Sequence, residues 1–235
     1  MNQIPPDCMS VPSLGDGVLA FFSTSLSLKN SSSRPPVTHP AMLSSLGLDP
    51  GTAAYGKQVH GSTVKVVSSP GNQGACDSLV TPRKGILLAT FVADCAAVLL
   101  FDKRNKAIAN VHAGWRGALA GITRKTVESM ENKFKTRPED LSAYISPSIG
   151  SCCYTVGSEV ADLFDGTFVH TRDGKLFLDL WSLNKSQLEA SGVTPDRIHV
   201  SGICTCCNPD LFHSYRRDGP HSGRMVSVIG LVSSA

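Results

Sequence analysis

The sequence predicts an α/β fold in which a mixed β-sheet is covered by helices. Residues 85–101 are almost continuously apolar, which is typical of a strand buried on both faces. From Ala118 onward, apolar side chains recur near helical spacing with charged residues between them, which predicts an amphipathic helix that stops before Pro138. Strands alternate with helices further along the chain, and some strands adjoin one another directly. This combination favours a mixed sheet.

The first half of the chain supplies much of the predicted sheet. Residues 17–27 are expected to form a short strand, and the Ser/Pro-rich residues 30–40 a loop. Residues 58–67 carry β-branched side chains in alternation and predict a further strand. Residues 106–111 are the expected neighbour of the long buried strand.

The second half repeats the alternation of strands and helices less clearly. Its predicted elements are strands at residues 142–149, 177–180, 197–202 and 224–231, and helices at residues 158–164 and 179–192. A chain of 235 residues can bury its core as one domain or as two closely packed halves. We interpret residues 1–235 as a single domain, with residues 1–40 as its least defined part.

Composition and charge exclude several classes of function. The chain has 22 Lys and Arg against 19 Asp and Glu, and its net charge of +3 is too small to imply a nucleic-acid or membrane surface. The first residues lack the basic start and apolar stretch of a secretory signal, and no apolar run approaches the length that spans a bilayer. We therefore expect a cytoplasmic protein whose eight cysteines are reduced.

Three potential metal ligands, His60, Cys95 and His112, lie where predicted strands meet turns. Two imidazoles and a thiolate suit zinc, and three protein ligands leave a fourth position for water or substrate, as in catalytic zinc sites. Their spacing is not one of the close-set metal signatures. A single buried cysteine is usually a small hydrophobe, and a single histidine near a turn is usually a hydrogen-bonded surface group. Spacing alone leaves both interpretations open.

The segment that contains His112 also carries Arg116, a glycine-flanked arginine at the start of a predicted helix. A guanidinium beside the exposed N–H groups of a helix start suits an oxyanion such as phosphate. Packing alone does not require this pair of residues. The segment therefore predicts a functional site.

Six short motifs follow one another along the chain: Gln58-Val59-His60-Gly61, Ala93-Asp94-Cys95, His112-Ala113-Gly114-Trp115-Arg116-Gly117, Ser148-Ile149-Gly150-Ser151-Cys152-Cys153-Tyr154, Cys204-Thr205-Cys206 and Phe212-His213-Ser214-Tyr215-Arg216-Arg217-Asp218. Their order resembles that of the YfiH/DUF152 family, also called laccase-domain or polyphenol oxidase proteins. The resemblance covers residues 58–231. The chain departs from the family pattern at Ser25-Leu26-Ser27, where an Arg and Gly-Gly are usual, and at Ser146-Pro147, where Gly-Pro is usual.

The resemblance implies a three-layer α/β fold with a Zn²⁺ ion held by His60, Cys95 and His112. It also implies phosphorolysis of purine nucleosides, namely adenosine, inosine, guanosine or methylthioadenosine, with adenosine deamination as a companion reaction. The expected partners are thus a purine nucleoside and phosphate, without nucleic acid or membrane.

The implied chemistry assigns roles to further residues. Phosphorolysis needs positive groups that hold phosphate against the anomeric carbon, and a donor that stabilises the departing purine. Arg116 is the first candidate for the phosphate. Arg216 and Arg217 are the second candidates, although a solvated surface charge is an equally good interpretation for at least one of them. Asp94 could shuttle a proton. The slightly favoured alternative is that its carboxylate supports the neighbouring residue Cys95.

Other side chains carry weaker signals. A second metal or redox site is one interpretation of five cysteines, and structural thiols that line the same pocket are the favoured one. These cysteines are Cys152, Cys153, Cys204, Cys206 and Cys207. Trp115 and Tyr154 could stack on a purine, although aromatic residues beside glycine turns more often serve packing.

Two rival functions use the same residues. In a cysteine hydrolase, Cys95 would be the nucleophile and His112 or His60 the base, without a metal. A non-catalytic zinc or copper module would close the site with a fourth protein ligand. A multicopper oxidase would need many closely spaced histidines, whereas this chain has seven and no H-x-H pair.

Overall fold

The computed structural model describes residues 4–26 and 38–232, and within them the fold is mixed α/β, as predicted. The strands are β1 (Cys8–Ser10), β2 (Val18–Ser23), β3 (Ala53–Lys57), β4 (Val64–Val66), β5 (Gly71–Ala75), β6 (Ser78–Thr81), β7 (Leu87–Val92), β8 (Ala96–Asp102), β9 (Ala107–Ala113), β10 (Leu141–Ile145), β11 (Thr155–Val156), β12 (Val169–Arg172), β13 (Lys175–Leu178), β14 (Ile198–Val200) and β15 (Met225–Leu231). The α-helices are α1 (His39–Ser45), α2 (Trp115–Leu119), α3 (Ile122–Phe134), α4 (Ser158–Ala161), α5 (Leu180–Ala190) and α6 (Tyr215–Asp218). None of the described helices is long and apolar enough to span a membrane.

The strands form two six-stranded mixed sheets and one small three-stranded sheet. The first sheet has the order β1-β2-β15-β7-β3-β5, and the second has the order β14-β10-β8-β9-β6-β4. The two large sheets pack face to face, because Leu88 and Ile229 of the first share one buried apolar cluster with Leu99 and Ile108 of the second. The small sheet, β11-β13-β12, contributes to a separate apolar cluster around Leu178.

Helices cover the outer faces of both large sheets. Met42 and Leu43 of α1 pack on the first sheet, and Ile122 of α3 and Leu188 of α5 pack on the second. The sequence indicates one mixed sheet, whereas the structure stacks two between the helices. Each sheet has helices on one face and the other sheet on its second face, which explains why the central strands are apolar throughout.

The apolar run at residues 85–101, predicted as one strand, forms two strands that belong to different sheets. β7 lies in the first sheet and β8 in the second, so the chain crosses between the sheets at residues 93–95. Asp94 has a φ of 80°, a conformation that L side chains rarely adopt, and it makes the sharp turn at this crossing. An interruption of this kind is invisible to an analysis of hydrophobicity. β9 lies beside β8, as predicted, and the pairing is antiparallel.

Two further predicted elements differ in extent from the observed ones. The predicted helix after Ala118 is divided into α2 and α3 by Gly121, whose φ is 74°. The predicted loop at residues 30–40 lies mostly outside the described residues, and its last two residues begin α1. The predicted elements of the second half occur, most of them shorter than predicted, and β11 and β12 are two strands that the sequence did not predict.

Candidate metal centre and active site

The structure brings His60, Cys95 and His112 together where the two sheets meet. His60 follows β3, Cys95 ends the crossing between the sheets, and His112 lies in β9. Their ligand atoms all lie within 4.8 Å of one another, and Cys95 Sγ is 3.9 Å from His60 Nε2. The two imidazole rings are nearly perpendicular, with an interplanar angle of 77° and centroids 4.8 Å apart. Two nitrogens and one sulfur at these separations can hold one metal ion.

A buried carboxylate, Asp77, holds both histidines in place. His112 Nδ1 lies 2.8 Å from Asp77 Oδ1, and the backbone N–H of His60 donates to the same oxygen at 2.9 Å. The N–H of Gly61 donates to Oδ2 at 2.8 Å. Burial alone would raise the pKa of Asp77, but the hydrogen bonds from His112 and Gly61 hold it below its usual value. With Nδ1 engaged in this way, His112 presents Nε2 to a metal.

Asp77 is not among the residues predicted from the sequence, because its local sequence offers little signal. It is a single acidic residue just before the buried strand β6, and it meets His112 because β6 pairs with β9. The signal that could have found it is its position between Cys76 and a buried strand. An unpaired charge would be costly there, so an acidic side chain at this position needs a partner.

The charges of Cys95 and His112 depend on each other. Burial alone would raise the pKa of the Cys95 thiol, but the positive charge and hydrogen bond of His112 lower it to about 6. Burial alone would lower the pKa of His112, but the Cys95 thiolate and Asp77 raise it to about 9. Without a metal, each group therefore favours the charged form of the other. A cation that binds here replaces the imidazolium proton.

The close approach of these side chains requires a glycine at position 114. A Cβ there would lie 2.9 Å from Cys95 Sγ and 3.1 Å from His60 Cδ2. His60 itself has a φ of 58°, so two of the residues at this site, His60 and Asp94, adopt left-handed conformations. Such backbone strain is often found at functional sites.

A cavity of about 850 Å³ opens above the three side chains. One part of its wall is apolar and aromatic, with the His39 ring stacked on Phe91 at a centroid distance of 4.0 Å. Lys57, Arg216 and Arg224 contribute positive charge to the lining. This volume and mixture of surfaces suit a small ligand with a flat apolar part and an anionic part.

The three candidate arginines have different environments. Arg216 lines the cavity, and its Nη1 donates to Thr155 Oγ1 at 2.6 Å and to the carbonyl of Cys153 at 3.3 Å. Arg217 donates to Asp218 and to backbone carbonyls, including that of Phe212 at 2.9 Å, which is a structural role. Arg116 is exposed, and its guanidinium lies 4.3 Å from the centroid of the Trp115 ring. Arg116 is not among the described residues that line the cavity.

Asp94 lines the cavity, and its carboxylate connects three parts of the chain. Oδ1 accepts a hydrogen bond from Thr205 Oγ1 at 2.6 Å, while Oδ2 accepts from Ser214 Oγ at 3.0 Å and from the backbone N–H of Arg216 at 2.6 Å. These contacts favour a positioning role over proton transfer, because both carboxylate oxygens are already engaged.

The remaining candidates divide between lining and packing. Tyr154 lines the cavity, whereas Trp115 packs in the apolar cluster beneath the small sheet. Burial raises the pKa of Tyr154 well above its usual range, so the hydroxyl keeps its proton. Of the five cysteines singled out in the sequence, Cys152, Cys153, Cys204 and Cys207 form a second group of neighbouring thiols.

Comparison with known proteins agrees with this architecture. The crystal structure of YfiH from Bacillus licheniformis superposes with a TM-score of 0.85 at 28% identity and covers 97% of both chains. YlmD from Geobacillus stearothermophilus superposes with a TM-score of 0.85 at 29% identity, over 95% of this chain and 94% of that chain.

Curated relatives are similar in sequence. A Bacteroides thetaiotaomicron protein named purine nucleoside phosphorylase is 42% identical over 161 residues, which are 65% of this chain but only 60% of that protein. A Deinococcus radiodurans protein of the same name is 40% identical over 203 residues, which are 84% of this chain and 78% of that protein. The family model described as multi-copper polyphenol oxidoreductase laccase matches residues 22–232. The chain therefore belongs to this laccase-domain family, the YfiH/DUF152 family that its motifs resemble.

Proposed function

We propose that this chain is a zinc-dependent purine nucleoside phosphorylase with a companion adenosine deaminase activity. The observation that carries the proposal is the convergence of His60, Cys95 and His112, supported by Asp77, beneath a cavity with an aromatic wall and a cationic lining. The name purine nucleoside phosphorylase, which the Bacteroides and Deinococcus relatives bear, supports this substrate class. The proposed substrates are adenosine, inosine, guanosine and methylthioadenosine, each with phosphate.

The three side chains fit zinc by their donor set. One thiolate and two imidazole nitrogens are ligands that zinc accepts in a tetrahedral geometry, and a fourth position remains for an oxygen ligand. When bound, zinc supplies Lewis acidity, which polarises an oxygen ligand and lowers the pKa of bound water. Among the described residues, the other potential metal group contains thiols alone, which does not fit the histidine-rich centres of a multicopper oxidase.

The cavity residues supply the other needs of phosphorolysis. Arg216 holds the phosphate, because its contacts with the neighbouring loop use Nη1 and leave Nε and Nη2 for an oxyanion. His39 and Phe91 present an aromatic surface for the purine. Tyr154 keeps its proton at neutral pH and can donate a hydrogen bond to the departing base.

Product analysis tests the proposed function. The purified zinc-loaded protein is incubated with each of the four nucleosides, with and without phosphate, and the products are identified by mass. Free base and pentose 1-phosphate that form only with phosphate support phosphorolysis, and inosine from adenosine supports deamination. Unchanged nucleosides under all conditions would contradict the proposal.

The phosphate site gives a prediction that separates two arginines. We expect Arg216→Ala to raise the KM for phosphate about 10- to 100-fold, since a charge-assisted hydrogen bond contributes roughly 1.5–3 kcal/mol. Arg116→Ala is the matched control, because Arg116 is also exposed but lies outside the cavity lining. Initial rates at varied phosphate concentration measure both. A larger change in Arg116→Ala than in Arg216→Ala would return the phosphate to the helix start at Arg116.

A cysteine hydrolase remains the second candidate, because one observation favours it. The Cys95 thiol has a pKa near 6 beside His112, so the metal-free pair resembles an activated nucleophile. Reactivity of Cys95 in the metal-loaded protein distinguishes the two functions.

A further inference from the structure

Cys152, Cys153, Cys204 and Cys207 form a compact thiol cluster, separate from the three side chains of the metal centre. Their sulfur atoms all lie within 4.8 Å of one another. Cys207 Sγ is 3.5 Å from Cys152 Sγ and 3.3 Å from Cys153 Sγ. In a tetrahedral zinc site with Zn–S bonds of about 2.3 Å, sulfur atoms are about 3.8 Å apart. The observed separations are close to this value.

The backbone around Cys204 favours a thiolate. Cys204 and Cys207 have C-x-x-C spacing, and residues 205–207 form a turn between them. The backbone N–H of Gly150 donates to Cys204 Sγ at 3.3 Å, and the backbone of Cys207 donates to the same sulfur. Two N–H groups directed at one sulfur stabilise its negative charge, which a metal ligand needs.

Positive side chains surround the thiol cluster. Arg172 donates to the carbonyl of Cys152 at 2.9 Å, and Arg216 donates to the carbonyl of Cys153 at 3.3 Å. Arg217 donates to the carbonyl of Cys206 at 3.2 Å. Four thiolates around one divalent cation have a net charge of −2, which the guanidinium groups of Arg172 and Arg216 offset, whereas the charge of Arg217 is paired with Asp218.

We propose that Cys152, Cys153, Cys204 and Cys207 bind a second zinc ion in a tetrathiolate site. Four S–H bonds are replaced by four S–Zn bonds, and the protons pass to solvent, so no oxidant or reductant takes part. Because four protein ligands close the coordination sphere, the site is structural. It joins the loop after β10 to the turn at residues 204–207, and these two segments hold Tyr154, Arg216 and Asp94 at the cavity.

Metal stoichiometry tests this site independently of activity. The protein is reduced, loaded with zinc, freed of excess metal and analysed for elemental content per chain. We expect two zinc ions in the unmodified protein and one in Cys207→Ser. Cys206→Ser is the matched control, since Cys206 lies in the same turn but outside the thiol cluster, and it should keep both ions.

A second variant keeps the test valid if Cys207→Ser fails to fold. Cys95→Ser leaves the thiol cluster intact, so it should retain one ion, and replacement of that ion by Co²⁺ should give strong thiolate-to-metal absorption typical of four sulfur ligands. Absence of metal from Cys95→Ser, or a disulfide within the cluster by mass under non-reducing conditions, would overturn the proposal.

Discussion

Replacement of Cys95 by serine is expected to remove the ion held with His60 and His112 and to lower phosphorolysis by at least about 100-fold. Mutation of a residue that only supports a metal ligand typically lowers metal affinity or activity 10- to 100-fold, so loss of a ligand itself should have a larger effect. Elemental analysis and initial rates measure the two results. Cys206→Ser is the control, because its thiol is half-buried like that of Cys95 but lies away from the metal centre.

Alkylation of the unmodified protein then distinguishes a metal ligand from a nucleophile. As a ligand, Cys95 is bonded to the ion and reacts slowly with the alkylating reagent until a chelator removes the ion. Once metal-free, the thiol has a pKa near 6 and is mostly thiolate at pH 7, so it should react quickly. Peptide mapping identifies the modified cysteine. Rapid modification of Cys95 in metal-loaded protein, with parallel loss of activity, would favour the hydrolase.

Replacement of Asp77 by asparagine should weaken zinc binding about 10- to 100-fold and destabilise the fold by about 1–3 kcal/mol. An asparagine amide has one acceptor oxygen, so its NH₂ group would face either the N–H of His60, at the position of Oδ1, or the N–H of Gly61, at the position of Oδ2. His112 would also lose the partner that directs Nε2 toward the ion. Competition with a chelator measures affinity, and urea unfolding measures stability.

Asp102→Asn is the matched control for this variant. Asp102 is also a buried carboxylate with hydrogen-bond partners, but it lies at the far end of β8 and bonds to Asn105. We expect Asp102→Asn to lower stability without changing zinc affinity. Equal losses of zinc affinity in both variants would show that Asp77 acts only through general stability.

The grouping of His60, Cys95 and His112 could be predicted because histidine and cysteine are distinctive and lie at strand ends. The sequence could not place Asp77, because its partner His112 is 35 residues away and reaches it through strand pairing. The sequence could not show which arginine lines the cavity, for a related reason. Arg116 has the more suggestive local context, but the cavity wall is completed by distant residues such as Arg216.

Hydrophobic patterning predicted the type of most elements but not how they are layered. Residues 85–101 are equally apolar on both sides of Asp94, so nothing in the pattern separates β7 from β8. The number of sheets is decided by pairing, which places β7 beside β15 and β8 beside β9. Side-chain periodicity carries no information about such partners.

The crossing of the chain at residues 93–95 gives a bound ion a mechanical role as a cross-link. His60 extends from the first sheet, His112 belongs to the second, and Cys95 stands between them. An ion that binds only this folded arrangement stabilises it in proportion to the logarithm of its concentration over its dissociation constant. Loss of the ion should therefore loosen the seam between the sheets first, while each sheet keeps the helices packed on its outer face.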